Sequence, residues 1–400
     1  MNWDLISIII FYSILFLLFL RYKKKFTMQG IIALYKTSLG LKLMDRAAAS
    51  SPRLLGFLSS LGIFVGFLGM LAGFFFLVKE TAAFLITPGA VTPLVPVLPG
   101  IAIPGVPRLS FWHWIISIFI AATVHELSHG VVARLHKVQI KSSGFAFIGP
   151  ILAAFVEPDE NELKRKKKTD QLGIFAAGPF SNILLGLIFF LMFNFITAPL
   201  FSESITPAGI TVNTLIEGYP ASEAKLEVPF TITGINKQDT LSATQFANTT
   251  RTIKPGDEVT IKTDKGEHNL VAAANPENSS IAYLGMAGLE QKMLPAGRAE
   301  GRPWLLSTII WLNLLAMWLF MINIGIAIFN LLPFLPADGG RMLLVAMETI
   351  FPRRGKQIWL VVNITCITLI VINLLPWVLK LLTWMLNVFL LALSFGSGLL

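Results

Sequence analysis

Six stretches of this chain stay apolar for long enough to cross a bilayer, which takes about 20 residues of helix. Hydrocarbon offers no partner to backbone N–H and C=O groups, so each stretch must be a helix that satisfies those groups internally. The segments are residues 3–20, 54–78, 109–135, 172–200, 304–330 and 358–379; residues 381–400 form a seventh span or a surface segment. Composition agrees, since 54% of the 400 residues are hydrophobic and 14% charged, too apolar for a soluble globule. The expected fold class is a polytopic α-helical membrane protein with one inserted, mainly β domain.

The cations orient these spans. The formal net charge is +9, but the basic residues gather in short runs beside apolar segments, at 21–25, 164–168 and 353–356. That is the pattern of cytoplasmic anchors and not of a nucleic-acid surface, so the expected partner is the lipid bilayer, with no nucleic acid. Basic residues follow the first span and no small-residue cleavage site is evident, so it reads as a retained span with its N-terminus outside. The single cysteine, Cys366, rules out a disulfide or a cysteine zinc site within the chain.

Five regions follow. Residues 1–53 hold the first span and a basic cytoplasmic segment whose part from 26 to 53 is expected along the inner surface. Residues 54–200 form a first membrane core, and Gly62, Gly66, Gly69 and Gly73 on one face of its first helix suit close packing. Residues 140–156, glycine-bearing and broken by Pro150, suit a strand hairpin or re-entrant loop. Residues 201–302 change to soluble composition, with alternating strands at 210–216 and 258–263, a hairpin turn at 264–267 and a short helix near 243–249. Residues 303–356 form a second membrane core, and 357–400 the C-terminal span or spans.

One span carries groups a bilayer penalises. His125, Glu126 and His129 form an H-E-x-x-H motif within 109–135. On a helix, positions i and i+4 share a face about 6 Å apart along the axis, so both imidazoles can hold one metal ion. Glu126 is then placed to handle the protons of a water activated by that ion. Ionisable groups within a bilayer cluster mainly where they act.

A hydrolytic zinc site usually has three protein ligands. His113 lies roughly 18 Å before His125 along the helix and His136 roughly 10 Å past His129, while His268 belongs to the external domain. The remaining candidates are the carboxylates Asp4, Asp338 and Glu348. Asp338 follows the break Asn330-Leu331-Leu332-Pro333-Phe334-Leu335-Pro336-Ala337 and precedes two glycines. Irregular backbone at this depth is tolerated only inside protein or beside a water cavity, which suits a presented ligand. Asp338 is also a natural helix N-cap, and both roles are compatible.

These residues resemble the site-2 proteases, polytopic intramembrane zinc metalloproteases. The resemblance rests on His125-Glu126-Leu127-Ser128-His129 and on the Asn/Pro-rich segment from Asn330 to Asp338-Gly339. Phe155-Val156-Glu157-Pro158-Asp159 and Ala177-Gly178-Pro179-Phe180-Ser181-Asn182 are similar to the family as well. The external domain, with Gly218-Tyr219-Pro220-Ala221 and Lys254-Pro255-Gly256-Asp257, resembles the PDZ domain that many members insert, here extracytoplasmic. The family often has Leu before the Asp-Gly pair, where this chain has Ala337.

The resemblance implies that His125, His129 and Asp338 bind one Zn2+, that Glu126 is the base, and that Asn330 polarises or positions substrate. Asn182 is a substrate contact or an interhelical packing hydrogen bond. The implied reaction is hydrolysis of a peptide bond within or near a transmembrane segment of a single-span substrate already cut outside. The implied setting is a prokaryotic plasma membrane, with the active site toward the cytoplasm. Residues 144–150 are expected to offer a strand edge to the unwound substrate. The competing readings are a divalent-metal transporter, which needs further polar residues along a crossing route, and a catalytically idle membrane scaffold or chaperone.

Overall fold

The computed structural model describes residues 3–397 except 31, 39, 88, 89, 91, 102, 104, 149, 150 and 277. It divides into two compact units, one of Met1–Phe193 with Leu314–Leu400 and the other Asn194–Asn313. Six helices among the described residues are long and apolar enough to cross a membrane. The protein is therefore a multi-pass membrane protein.

The first unit begins with α1 (Trp3–Tyr22), followed by strands β1 (Phe26–Gln29) and β2 (Ile32–Thr37), α2 (Leu41–Ser50), α3 (Pro52–Ile86) and α4 (Phe111–Leu135). Then come β3 (Ile140–Ile148), β4 (Ile151–Pro158), α5 (Glu160–Arg165) and α6 (Lys168–Met192). The segment 26–53, expected along the inner surface, is built into the fold of this unit. Its first part is a β-hairpin whose second strand pairs with β3, and its last part is α2, which packs on α4 with Met44 fully buried against Gly130.

The four strands form one antiparallel sheet in the order β1-β2-β3-β4. The expected free edge at 144–150 is corrected: residues 144–148 lie in β3, paired to β2 on one side and β4 on the other. Pro150 lies outside the described residues. The edge strands are β1 and β4, and β4 packs against α4.

Around α4 the packing is close because small residues face large ones. A Cβ at Gly62, Gly66, Gly69 or Gly73 of α3 would meet Phe180, Met342, Leu331 or Leu332, the Gly69 contact falling at 2.7 Å. Those glycines recur at i, i+4, i+7 and i+11, one helix face, which is why α3 can approach its neighbours. The buried cluster there includes Val132, Ala133, Ile174, Ala177, Leu331 and Met342.

The second unit holds α7 (Ala198–Glu203), β5 (Ile205–Leu215), α8 (Pro220–Glu223), β6 (Phe230–Ile235), β7 (Gln238–Asp239) and α9 (Ala243–Arg251). β8 (Glu258–Thr263), β9 (Gly266–Val271), β10 (Ala273–Ala274), β11 (Ala282–Tyr283) and β12 (Met286–Pro295) follow. Its antiparallel sheet runs β12-β5-β6-β8-β9, with β7 paired to β6. Val259 and Ile261 alternate along β8 and form the core with Val212, Ile232 and Ile235. Ser242 and Gln245 close a reciprocal capping box at the start of α9.

The chain returns through α10 (Pro303–Leu331), the break at 332–337, α11 (Asp338–Ile350) and α12 (Gly355–Ser397). The question of a seventh span resolves into one helix: residues 381–397 continue α12 without interruption.

Candidate metal centre

The three candidate ligands converge, the two histidines as the spacing of α4 predicts. His125 and His129 project from one face, their Nε2 atoms 3.1 Å apart and their ring planes at 81°. Asp338 Oδ2 completes the triangle, 3.1 Å from His125 Nε2 and 3.3 Å from His129 Nε2. Asp338 is not the helix cap: Ala337 occupies that position and Asp338 is the first residue of α11, its carboxylate turned to the imidazoles.

A test of fit follows from these edges. Donors bonded at about 2.0–2.1 Å in a tetrahedron lie roughly 3.3–3.4 Å from one another, close to what the triangle shows. The two histidine nitrogens and one carboxylate oxygen are also a donor set that zinc accepts. His129 Nδ1 lies 2.7 Å from the Ile174 carbonyl, and because a carbonyl only accepts, Nδ1 carries the proton and Nε2 presents its lone pair to the triangle. His125, His129 and Asp338 can therefore hold a metal ion.

The helix α6 makes this convergence possible. A Cβ on Gly178 would fall on His129 Nε2 and lie 2.6 Å from His125 Nε2, so only glycine lets α6 press against the imidazole pair. One turn further on, the buried amide of Asn182 faces His125 Nδ1 at 3.3 Å, an interhelical contact to a ligand.

A cavity of about 330 Å³ opens beside the triangle, lined by His125, Glu126, His129, Phe155, Val156, Pro158, Ile174, Phe175, Asn330, Pro336, Asp338 and Arg341. Glu126 Oε2 accepts the Val156 N–H at 3.1 Å, so the unpaired side of β4 faces this carboxylate. Asn330 donates through Nδ2 to the Ile326 carbonyl at 3.0 Å and lines the same cavity near the end of α10. A larger space of about 510 Å³ adjoins, sharing Phe175 and Arg341 and carrying Glu160, Lys164, Lys168 and Glu348. Arg341 lies over the Phe175 ring at 5.6 Å and 3.7 Å from Glu160, marking the boundary between the two.

The remaining sequence candidates lie apart. His113 is bound to Ser110 at the start of α4, His136 is 3.4 Å from Asp170, and Glu348 lines the charged space. Asp4 belongs to the first turn of α1. Sequence reasoning passed over Ile174 and Arg341, and read Gly178 only as part of a family-like stretch, with no role of its own. The only available signal for Arg341 was its place one turn after Asp338 on the same helix face. Ile174 acts through its main chain and leaves no side-chain signature.

An uncharacterized protein of Methanocaldococcus jannaschii is 28% identical to the chain over 339 residues, 83% of this chain and 82% of that protein. Two solved PDZ domains of SdrC-like proteins are similar as well. That of Listeria monocytogenes is 22% identical, covering 21% of this chain and 90% of the domain with a TM-score of 0.19. That of Listeria innocua is 25% identical, covering 20% and 91% with a TM-score of 0.18. Residues 113–372, from the first turn of the motif helix to well past Asp338, match peptidase family M50, and by that match over more than half its length the chain belongs to this site-2 protease family of membrane metallopeptidases.

Proposed function

We propose that the chain is an intramembrane zinc metalloendopeptidase that hydrolyses a peptide bond within or near a transmembrane segment of a single-span substrate, in regulated intramembrane proteolysis. The observation that carries this reading is the donor triangle of His125, His129 and Asp338 opening onto a cavity that Glu126 also lines. Zinc held there supplies Lewis acidity, which brings water to a nucleophilic state near neutral pH and polarises the peptide carbonyl. Glu126 takes the proton from the attacking water and delivers it to the departing amine. Asn330 has one amide hydrogen beyond its Ile326 bond and presents it to the substrate carbonyl.

A helical peptide bond is shielded by its own hydrogen bonding, so the substrate must unwind before attack. Strand addition to β4 would provide for this: the side of β4 not paired to β3 faces Glu126, and an extended segment that replaces the Val156–Glu126 hydrogen bond would lie along the cavity. The charged space beyond Arg341 would give water a route, and the basic runs support a cytoplasmic orientation for that side, in a membrane we take to be a prokaryotic plasma membrane. The inserted β domain, PDZ-like and extracytoplasmic, then screens substrates by size or binds their trimmed ends. Removal of residues 201–299 should allow cleavage of untrimmed substrates; unchanged selection would discard the screening role.

The deciding experiment uses the full chain in detergent with a metal assay and a single-span test peptide. One zinc per chain is expected, with cleavage reduced by about 10²–10⁴ or more in Glu126→Ala at unchanged zinc content. Full turnover by that variant, or a wild-type chain that holds no zinc, would overturn the proposal.

A further inference from the structure

Two helices meet at the histidine pair, and the second supplies a partner to each imidazole. Ile174 and Asn182 of α6 face the Nδ1 atoms of His129 and His125 at 2.7 and 3.3 Å. The two partners differ in kind. The carbonyl of Ile174 can only accept, which leaves one tautomer for His129. The side chain of Asn182 has a donor end and an acceptor end of nearly the same shape, and rotating the amide by half a turn exchanges them.

Asn182 is fully buried, and in its recorded orientation Nδ2 faces His125 while Oδ1 has no hydrogen-bond partner. That orientation requires His125 to accept at Nδ1 and to carry its proton on Nε2, directed at Asp338 Oδ2. Yet Nε2 is the atom that belongs to the donor triangle, 3.1 Å from both Asp338 Oδ2 and His129 Nε2. For Nε2 to ligate, the proton must sit on Nδ1, and Nδ1–H then needs an acceptor. The exchanged amide places Oδ1 there. The exchange removes one donor bond and creates one acceptor bond, so the demand for a lone pair at Nε2 decides between the two states.

We infer that Asn182 is a positioning residue that accepts from His125 Nδ1–H through Oδ1 and so fixes the ring orientation and tautomer in which Nε2 binds metal. It touches neither substrate nor metal and acts through His125 alone. The inference rests on the proposed zinc site and adds to it the reason a polar residue lies buried on α6. Outer partners of metal-bound histidines typically change metal affinity by about 10–100-fold when removed.

The test compares Asn182→Asp, which keeps an acceptor and loses the donor, with Asn182→Leu, which loses both. Zinc affinity of each full-length variant in detergent is measured by competition with a chelator, beside the rise in unfolding temperature that zinc produces. The expected result is zinc binding about 10–100-fold weaker in Asn182→Leu, with a correspondingly smaller zinc-induced rise. Asn182→Asp should bind within about threefold of the unmodified chain, since a carboxylate is a regular acceptor for a metal-bound histidine. A packing role alone would lower the unfolding temperature of the zinc-free protein and leave the zinc-induced rise intact, which would overturn the inference. So would Asn182→Leu binding zinc as tightly as the unmodified chain, or Asn182→Asp binding as weakly as Asn182→Leu. If the buried carboxylate prevents folding, the Leu variant decides alone. Absence of zinc from the unmodified chain would instead overturn the proposed function.

Discussion

Gly178→Ala adds one methyl group and should disable the metal centre. The new Cβ would lie 2.6 Å from His125 Nε2 and closer still to His129 Nε2, where ordinary contact begins at 3.4 Å. The shortfall at His125 is about 0.8 Å, and the obstacle is a pair of rings held by Ile174 and Asn182, not the free end of a flexible chain. Either α6 withdraws, removing those partners, or the rings turn and the 3.1 Å edge between the Nε2 atoms widens. Zinc bond lengths tolerate only about 0.2 Å, so a displacement of that size removes at least one ligand. The overpacking should cost about 1–3 kcal/mol of stability, and zinc affinity should fall on the order of 100-fold. Chelator competition reads the affinity, and unfolding in detergent reads the stability. Gly325→Ala is the control, because a Cβ at Gly325 meets nothing within 4 Å. Zinc binding by Gly178→Ala within threefold of the unmodified chain would show that α6 does not pin the imidazoles, and the account of the site would fail.

Asp338→Asn leaves two neutral imidazoles and an amide, a poor zinc set, so metal content after dialysis should drop well below one per chain; full retention would remove Asp338 from the ligands. Gly69→Leu drives a side chain into Leu331, whose Cδ1 lies 2.7 Å from the added Cβ, and should lower stability by about 1–3 kcal/mol, whereas Gly56→Leu on the same helix points into open space and should not. In the inserted domain, the Thr231 N–H at 2.8 Å, aided by Lys292, holds the Asp264 carboxyl below its ordinary range. The folded pKa is thus depressed, so the stabilisation is complete above the unfolded value of about 3.9 and is lost as pH falls through the folded value. Hydrogen exchange at β6 followed through that acid range should show the loss in the unmodified chain and not in Asp264→Asn; identical profiles would refute it.

What could be read from the chain alone was whatever a short-range rule dictates. The spans follow from the bilayer's demand on the backbone, and the His125–His129 pair from helix pitch. Asp338 was legible because a carboxylate beside a broken helix has few other reasons to sit at that depth. The second unit yielded β8 at its observed bounds and a hairpin turn at 264–267, which the structure narrows to Asp264-Lys265, since alternation and turn chemistry are local signals. The hairpin of β1 and β2 is short and left little signal of its own, and its place in the sheet depends on β3, more than a hundred residues away, a pairing that leaves no local trace. The free edge was assigned to the wrong strand for the same reason: which side of β3 is covered depends on β2.

The part of the site on α6 was legible only in fragments, Asn182 as a candidate and Gly178 as one residue of a family-like stretch, and its logic is periodic. Ile174, Gly178 and Asn182 stand at i, i+4 and i+8, one face of the helix, as His125 and His129 stand at i and i+4 on theirs. A carbonyl, a bare α-carbon and an amide on successive turns meet the Nδ1 of one ring, the gap at both Nε2 atoms and the Nδ1 of the other ring. Each is unremarkable by itself: a leucine-like position, a small residue in a membrane helix and a buried asparagine all occur for packing alone. They become a pattern only when laid against the complementary face of α4. The spacing of the ligands thus constrains the spacing of their supports, and a helix packed antiparallel or parallel to an H-E-x-x-H helix can be searched for partners at four-residue intervals before any coordinates exist.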